Sequence, residues 1–169
     1  MTTELTENLK SKNPVVKKCL DDPFFYGIAE KIISSPNYVF LEKHLHHKNI
    51  SVAAHSLFVA CTAYDYAKTK KLKNVDLKVL ITAALLHDYY FYDWHDKNKG
   101  FRFHGLKHSV FALKNAEKEF ELTKKEKNAI VSHMFPLTFW HLPTCKEAWL
   151  ICRFDKSASI KEYSGKLKV

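Results

Sequence analysis

Glycine and proline are scarce in this chain of 169 residues, which contains four glycines and five prolines. Between them, apolar residues recur at helical spacing rather than in alternation, a pattern that disfavours an architecture built on sheets. Hydrophobic residues make up 46% of the chain, which is long enough to bury one core and too short for two comfortable domains. We therefore predict an all-α fold, a single helical bundle.

Long apolar runs are missing as well. The longest, from Val79 to Leu86, is far below the roughly 20 residues that cross a bilayer, and the polar N-terminal stretch lacks the apolar core of a secretory signal. The four cysteines show no CxxC spacing. Three of them lie in helical patterns, where a small buried hydrophobe is the favoured interpretation. We expect a cytoplasmic protein with reduced thiols and no membrane span.

Acidic residues are fewer than basic ones. The chain has 18 aspartates and glutamates and 27 lysines and arginines, which gives a net charge of +9. A basic surface attracts anions and fits a small phosphorylated substrate or nucleic acid. The lysines occur in short groups without regular interleaving by aromatic residues, so nucleic acid is the less favoured partner. A solvated basic surface is the plainer interpretation of this charge. The sequence does not predict an oligomeric state.

Capping residues divide the N-terminal half of the chain. Residues 1–20 are polar and weakly patterned, and we expect a leader or a short docking helix there, followed by a helical domain over residues 21–169. Asp22 precedes a proline, an arrangement that starts a helix. Ser51 is suited to cap a later helix, in which His55 shares a stripe with apolar residues. His55 is therefore expected to point toward the core.

A histidine cluster comes before this later helix and consists of His44, His46 and His47. Such a cluster can resemble a metal-binding tract. Proline 36 opens a helix that is expected to end near these residues, and imidazoles at a helix end more often interact with the helix dipole or with solvent. We prefer that interpretation.

An apolar helix and a long loop follow. The helix is expected from about Val75 to Tyr89 and is apolar on nearly all sides, as is typical of the central helix of a bundle. The next segment, from Tyr90 to Gly105, is rich in aromatic and charged residues. A loop of that length in a compact domain is usually functional, so we expect it to form a wall or lid of a site.

Two capping boxes predict the last helices of the chain. Thr123 with Glu126 opens the first of them, and Thr144 with Glu147 opens the second. The second helix is long and is expected to stop at Gly165.

Four side chains in the sequence are of the types that bind a divalent transition metal. In chain order they are His55, His87, Asp88 and Asp155. If they converge from separate helices, they form a metal site with an open coordination position. Their order and their helical surroundings resemble the signature of the HD-domain superfamily over roughly residues 51–160. Members of that superfamily are metal-dependent phosphohydrolases with a helical fold.

By that resemblance, these four residues would ligate one metal ion. His108 and His133 lie between Asp88 and Asp155, where binuclear members of the superfamily place additional histidine ligands. Asp88 could then bridge two ions about 3.5 to 4 Å apart. The expected cofactor is one or two divalent ions, and Fe, Mn, Zn, Ni, Co and Mg remain open.

The chemistry expected of such a site is hydrolysis of a phosphate ester, such as a nucleotide. A metal lowers the pKa of bound water to roughly 7 in favourable cases and so supplies hydroxide at neutral pH. With Asp88, His104 and Arg102 are expected to take part in catalysis. His104 lies one helical turn before His108 and competes with it for the second metal or for phosphate. We favour His108 as the ligand and His104 as the helper.

Three cations in the loop after the His-Asp pair are candidates for holding the substrate phosphate: Lys97, Lys99 and Arg102. The guanidinium of arginine presents a fork of donors that matches phosphate oxygens. The alternative is a solvated charged loop.

Two further functions stay open from the sequence. Some relatives of the superfamily use an iron pair with much the same ligands, so the chain could be a di-iron oxygenase. It could also be a non-catalytic module that binds a metal or a nucleotide. Each histidine taken alone is also compatible with a buried, hydrogen-bonded core residue.

Overall fold

The computed structural model describes residues 12–47, 50–92 and 104–165. Within these residues the chain forms eight helices and one two-stranded antiparallel ribbon. The elements are α1 Pro14–Leu20, α2 Pro23–Ile33, α3 Pro36–Leu41, β1 Leu45–His47, β2 Ile50–Ser51, α4 Val52–Thr69, α5 Leu77–Leu86, α6 His104–Glu119, α7 Lys124–Ser132 and α8 Lys146–Tyr163. The predicted all-α fold is confirmed. Among the described helices, not one has the length and apolar character needed to cross a membrane.

The centre of the bundle is formed by α4 and α5. The start of α4 follows Ser51, whose hydroxyl accepts a hydrogen bond from the backbone N–H of Ala54 at 3.1 Å. Helix α5 packs against α2, α4, α7 and α8. From Val79 to Leu86, all its residues except Thr82 are buried. Burial of each large aliphatic side chain contributes roughly 1.5 to 3 kcal/mol, so α5 gives firm support to the residues that follow it.

Helices α1 and α2 cover one side of this centre. Val16, Cys19 and Leu20 of α1 are buried, and the helix packs against α4. Helix α2 begins behind Asp22, whose carboxylate accepts a backbone N–H of the first turn, as the sequence predicts for an N-cap. Residues 1–11 of the expected leader lie outside the described residues.

A short β-ribbon connects α3 to α4, and it contains part of the histidine cluster that was predicted to lie at a helix end. The sequence predicts that this cluster ends a helix, but α3 ends at Leu41, and His46 and His47 belong to strand β1. The prediction is wrong for these two residues because the main chain pairs there with β2. His44 lies just after α3, and its Nδ1 donates to the carbonyl oxygen of Phe40 at 3.2 Å, which is a helix-end contact of the expected kind.

The start of α8 differs from the prediction. Its N-cap is Cys145, which makes no capping hydrogen bond through its side chain. The carboxylate of Glu147 instead accepts the backbone N–H of Asp76 at 2.6 Å, and the N–H of Thr144 donates to the side chain of Asn128 at 2.8 Å. The expected capping box is therefore wrong, since a tertiary contact takes the carboxylate. The capping box at the start of α7 is confirmed.

Candidate metal centre

Five helices bring polar side chains into one buried cluster in the middle of the bundle. Three of the side chains belong to α4, α6 and α8, and the other three follow the last residues of α5 and α7. The six residues are His55, His87, Asp88, His108, His133 and Asp155, and each is at most 6% exposed. The structure thus brings together all six residues that the sequence singled out as candidate metal ligands.

His87 and His133 occupy equivalent positions at the ends of their helices. Each is the C-cap residue, and each donates Nδ1–H to the carbonyl oxygen three residues earlier, at 2.7 Å for His87 and 2.8 Å for His133. His108, inside α6, likewise donates Nδ1–H to the carbonyl oxygen of His104 at 3.0 Å. A carbonyl only accepts, so these bonds hold the proton on Nδ1 and leave the lone pair of Nε2 directed at the cluster.

His55 is oriented by a carboxylate. Its Nδ1 lies 2.6 Å from Oε1 of Glu162, and its Nε2 lies 3.2 Å from Oδ1 of Asp155. A histidine between a carboxylate and a metal is a frequent arrangement, because the carboxylate fixes the ring and raises its basicity. The sequence interpretation missed Glu162. The signal was its spacing, since it follows Asp155 by two helical turns and so shares a face of α8.

Asp88 lies between two pairs of histidines. Its Oδ1 is 3.2 Å from Nε2 of His108 and 3.5 Å from Nε2 of His133. Its Oδ2 is 3.6 Å from Nε2 of His87 and 3.9 Å from Nε2 of His55. Each oxygen of this carboxylate therefore faces a different histidine pair.

Among the described residues, two groups of ligand atoms are compact enough to hold an ion. In each group the atoms lie within 4.8 Å of one another, and the groups are His55, His87 and Asp155, and His87, Asp88 and His133. Because His87 belongs to both, the two positions adjoin each other.

The side chains present fit a divalent cation. Nε2 of His108 and Nε2 of His133 are 2.8 Å apart, and both rings already hold a proton on Nδ1. Two lone pairs at that distance repel each other unless a proton or a cation lies between them. Nε2 of His87 is buried and makes no hydrogen bond within the described part of the chain. Buried polar atoms are normally satisfied, and imidazole with carboxylate is a donor set for divalent transition metals.

The electrostatics of the cluster also favour a positive charge. Burial lowers the pKa of His55, but hydrogen bonds to Asp155 and Glu162 outweigh burial and raise the pKa to about 10. Burial raises the pKa of Asp155, yet the hydrogen bond from His55 and the imidazole of His87, 3.8 Å away, hold this pKa well below its usual range. Burial and the neighbouring histidines lower the pKa of His133 to about 3. Asp155 therefore stays ionised and His133 stays neutral, and both are in the form that binds a metal.

His104 lies next to the cluster and outside the two groups of ligand atoms. Its ring stacks on that of His108 with centroids 4.6 Å apart, and its Nδ1 is 3.0 Å from the hydroxyl of Tyr92. The side chain lines the cavity described next. The cations expected to hold phosphate, Lys97, Lys99 and Arg102, lie outside the described residues, as does most of the expected wall or lid.

A cavity of about 880 Å³ connects the cluster to solvent. Asp88, His108 and Asp155 line its inner end. Lys156 also lines it, and its Nζ donates to the carbonyl oxygens of His133 at 3.0 Å and Cys152 at 3.3 Å. The sequence interpretation missed this lysine, for which the available signal was a cation directly after Asp155. A substrate in this cavity would meet the cluster from one side.

One comparison with known proteins supports this site. A family model described as "HD domain" matches residues 52–160. The matched range covers about two thirds of the chain and contains all six residues of the cluster. No curated protein and no solved structure shows a significant match to the chain.

Proposed function

The chain belongs to the HD-domain family, whose domains bind divalent metals, and from this premise we propose that it is a metal-dependent phosphohydrolase. Its substrate is a phosphate ester, either a nucleotide or another phosphomonoester or phosphodiester. The observation that carries the proposal is the position of Asp88, whose two oxygens face two different histidine pairs at the inner end of an open cavity. As the cysteine pattern predicts, we expect the protein to act in the cytoplasm.

The first ion would be held by His55, His87, Asp88 and Asp155. A second ion would be held by His108 and His133, with Asp88 shared between the two positions. Divalent ions in such a site supply a water of lowered pKa as nucleophile and stabilise the charge on the attacking and leaving oxygens.

Side chains around the cavity bind the phosphate group of the substrate. His104 contacts the phosphate from its place above His108, and Tyr92 holds its ring through the 3.0 Å contact at Nδ1. The sequence interpretation assigns the neutralisation of phosphate charge to three cations, Arg102, Lys97 and Lys99. Burial of the cluster lowers the local dielectric constant around its carboxylates, which strengthens their interaction with any cation.

The test compares two substitutions that replace a carboxylate by an amide of the same shape. Asp88→Asn removes the shared ligand, and Asp65→Asn changes a partly buried carboxylate that pairs with Lys18 away from the cluster. Both proteins are loaded with each candidate metal, checked for folding by circular dichroism, and assayed for phosphate release from nucleotides and simple esters. Asp88→Asn should lose at least about 100-fold in kcat, on the order of the effect of removing a key electrostatic group. Asp65→Asn should retain the activity.

A folded Asp88→Asn protein with full turnover would disprove this mechanism. Consumption of oxygen by an iron-loaded sample that leaves every phosphate ester intact would indicate an oxygenase instead. Tight nucleotide binding without turnover with any metal would indicate a binding module.

A further inference from the structure

Lys156 places a fixed positive charge at the edge of the cavity. Its ammonium group has three N–H donors, and two of them bind the carbonyl oxygens of His133 and Cys152. The first of these bonds holds Nζ next to the main chain of His133, which is a candidate metal ligand. Asp155, the residue before Lys156, is a second candidate ligand. Among the described residues that line the cavity, Lys156 is the only lysine or arginine. A charge held in this way suits a single phosphate group.

Away from the cluster, the cavity wall is apolar. Its apolar residues come from the segment after α7 and from the last turns of α8, and they are Met134, Pro136, Leu137, Ile160 and Tyr163. Three of them are more than half exposed, namely Leu137 at 53%, Ile160 at 68% and Tyr163 at 58%. Exposed apolar residues that line a cavity are typical of a ligand-binding groove. A ligand with an apolar part would remove this surface from water.

The same wall offers little to a polar ligand. In the described lining, the side-chain hydroxyls are those of Ser159 and Tyr163. A sugar or a chain of phosphates brought against such a wall would leave polar groups without partners, which weakens binding. The described part of the wall therefore disfavours esters whose alcohol part is rich in hydroxyls.

We propose that this site takes phosphate monoesters of apolar alcohols. Lys156 and the metal centre hold the phosphate, and the wall formed by Leu137, Ile160 and Tyr163 holds the alkyl or aryl group. In the reaction, an oxygen of water forms a bond to phosphorus and the ester P–O bond breaks. The protons of water pass to the departing alkoxide and the phosphate, which yields alcohol and inorganic phosphate. This inference rests on the phosphohydrolase function proposed above.

The first measurement is a comparison of chain length in the substrate. Initial rates of the metal-loaded protein are measured for ethyl, propyl, butyl and hexyl phosphate, with glycerol 3-phosphate as the polar counterpart of propyl phosphate and a nucleoside monophosphate as a further comparison. Because burial of one methylene is worth about 0.8 kcal/mol, kcat/KM should rise by up to about fourfold per methylene. Propyl phosphate should exceed glycerol 3-phosphate by at least about tenfold.

Binding supplies a second measurement that needs no turnover. Methylphosphonate and hexylphosphonate, which lack an ester bond, are titrated calorimetrically into the metal-loaded protein. Ile160→Asn should weaken the binding of hexylphosphonate alone, and Lys156→Met should weaken both ligands by a similar factor. Val39→Asn on α3 is the matched control, since Val39 is an exposed apolar residue at 38% that does not line the cavity. It should change neither value.

The outcomes separate the two proposals. If hexylphosphonate binds more tightly than methylphosphonate but no ester is hydrolysed, the apolar site stands and the phosphohydrolase function falls. If esters are hydrolysed without dependence on chain length, or glycerol 3-phosphate or the nucleotide is the better substrate, the function stands and the inference about the apolar alcohol is overturned.

Discussion

Glu162 and His55 form a buried pair in which Oε1 of the carboxylate lies 2.6 Å from Nδ1 of the imidazole. The two residues come from α8 and α4 and are 107 residues apart in the sequence. Because Nδ1 is occupied by Glu162, only Nε2 of His55 faces the cluster. Glu162 thereby sets which nitrogen of this candidate ligand can bind an ion.

The first prediction concerns Glu162→Gln. The amide keeps the size of the side chain and can still accept a hydrogen bond, but it lacks the negative charge that raises the basicity of His55. We expect the affinity of the protein for Zn²⁺ or Mn²⁺ to fall about 10- to 100-fold, measured by competition with a chelating dye. Glu117→Gln, at an exposed carboxylate paired with Lys127, is the control. A loss of thermal stability without a change in metal affinity would mean that Glu162 has only a structural role.

The second prediction concerns the number of ions. His133→Ala removes a candidate ligand of the second position, while the first group of ligand atoms, His55, His87 and Asp155, is unaltered. Elemental analysis should find the metal content reduced from about two ions to about one per chain. His141→Ala, at a partly buried histidine outside both groups, should keep the wild-type content. An unaltered metal content in His133→Ala would return His133 to a supporting role.

The third prediction concerns acid stability at Asp22. Its carboxylate accepts hydrogen bonds from Lys68 Nζ at 2.7 Å and Tyr64 Oη at 2.8 Å, and the bond from Lys68 is the main cause that lowers its pKa to about 2. A pKa lowered by folding adds stability above the unfolded value near 4, and this stability is lost as the pH falls toward 2. Asp22→Asn should therefore lower the free energy of unfolding by about 1 kcal/mol at pH 7, a figure reduced for partial exposure.

Urea denaturation of wild type and Asp22→Asn at pH 7 and pH 2.5 measures this effect. The difference between the two proteins should shrink at the lower pH, because the wild-type carboxylate is then partly protonated. Asp65→Asn, which removes a surface pair with Lys18, is the control and should change stability much less than Asp22→Asn. A difference at Asp22 that is independent of pH would mean that the substitution acts through the helix cap and not through charge.

The fourth prediction tests the support that α5 gives to the cluster. Leu85 is fully buried and lies two residues before His87. Leu85→Ala should cost about 2 to 5 kcal/mol of unfolding free energy through loss of burial and creation of a cavity. Leu72→Ala, at a residue that is 36% exposed, is the control and should cost much less. A cost below about 1 kcal/mol at Leu85 would mean that the centre of the bundle repacks around the gap.

Much of the helical layout could be predicted from local signals. Asp22 and Ser51 cap helices in the structure as their sequence context suggests, because an N-cap depends on a few neighbouring residues. The capping box predicted at Thr144 is wrong because a residue distant in the sequence competes for the Glu147 carboxylate. There the carboxylate of Glu147 binds the backbone of Asp76, 71 residues away, and no local pattern reports such a partner.

The candidate ligands could be predicted as a set, but their pairing could not. The types and order of His55, His87, Asp88 and Asp155 were visible in the sequence, and each lies in an apolar context that implies burial. Which oxygen of Asp88 faces which histidine depends on how five helices are placed around it. Distances of that kind follow from packing between helices and not from spacing along any one of them.

By itself, the sequence determined an all-α fold, the helix starts that depend on local capping, and the residue types available for a metal centre, because periodicity and capping act over a few residues. Tertiary structure alone decided that Glu162 orients His55 and that Lys156 stands at the edge of the cavity. It also decided that the wall near Ile160 is apolar. Those relationships depend on the rotation of α8 about its own axis, which is set by packing against α4, α5 and α7.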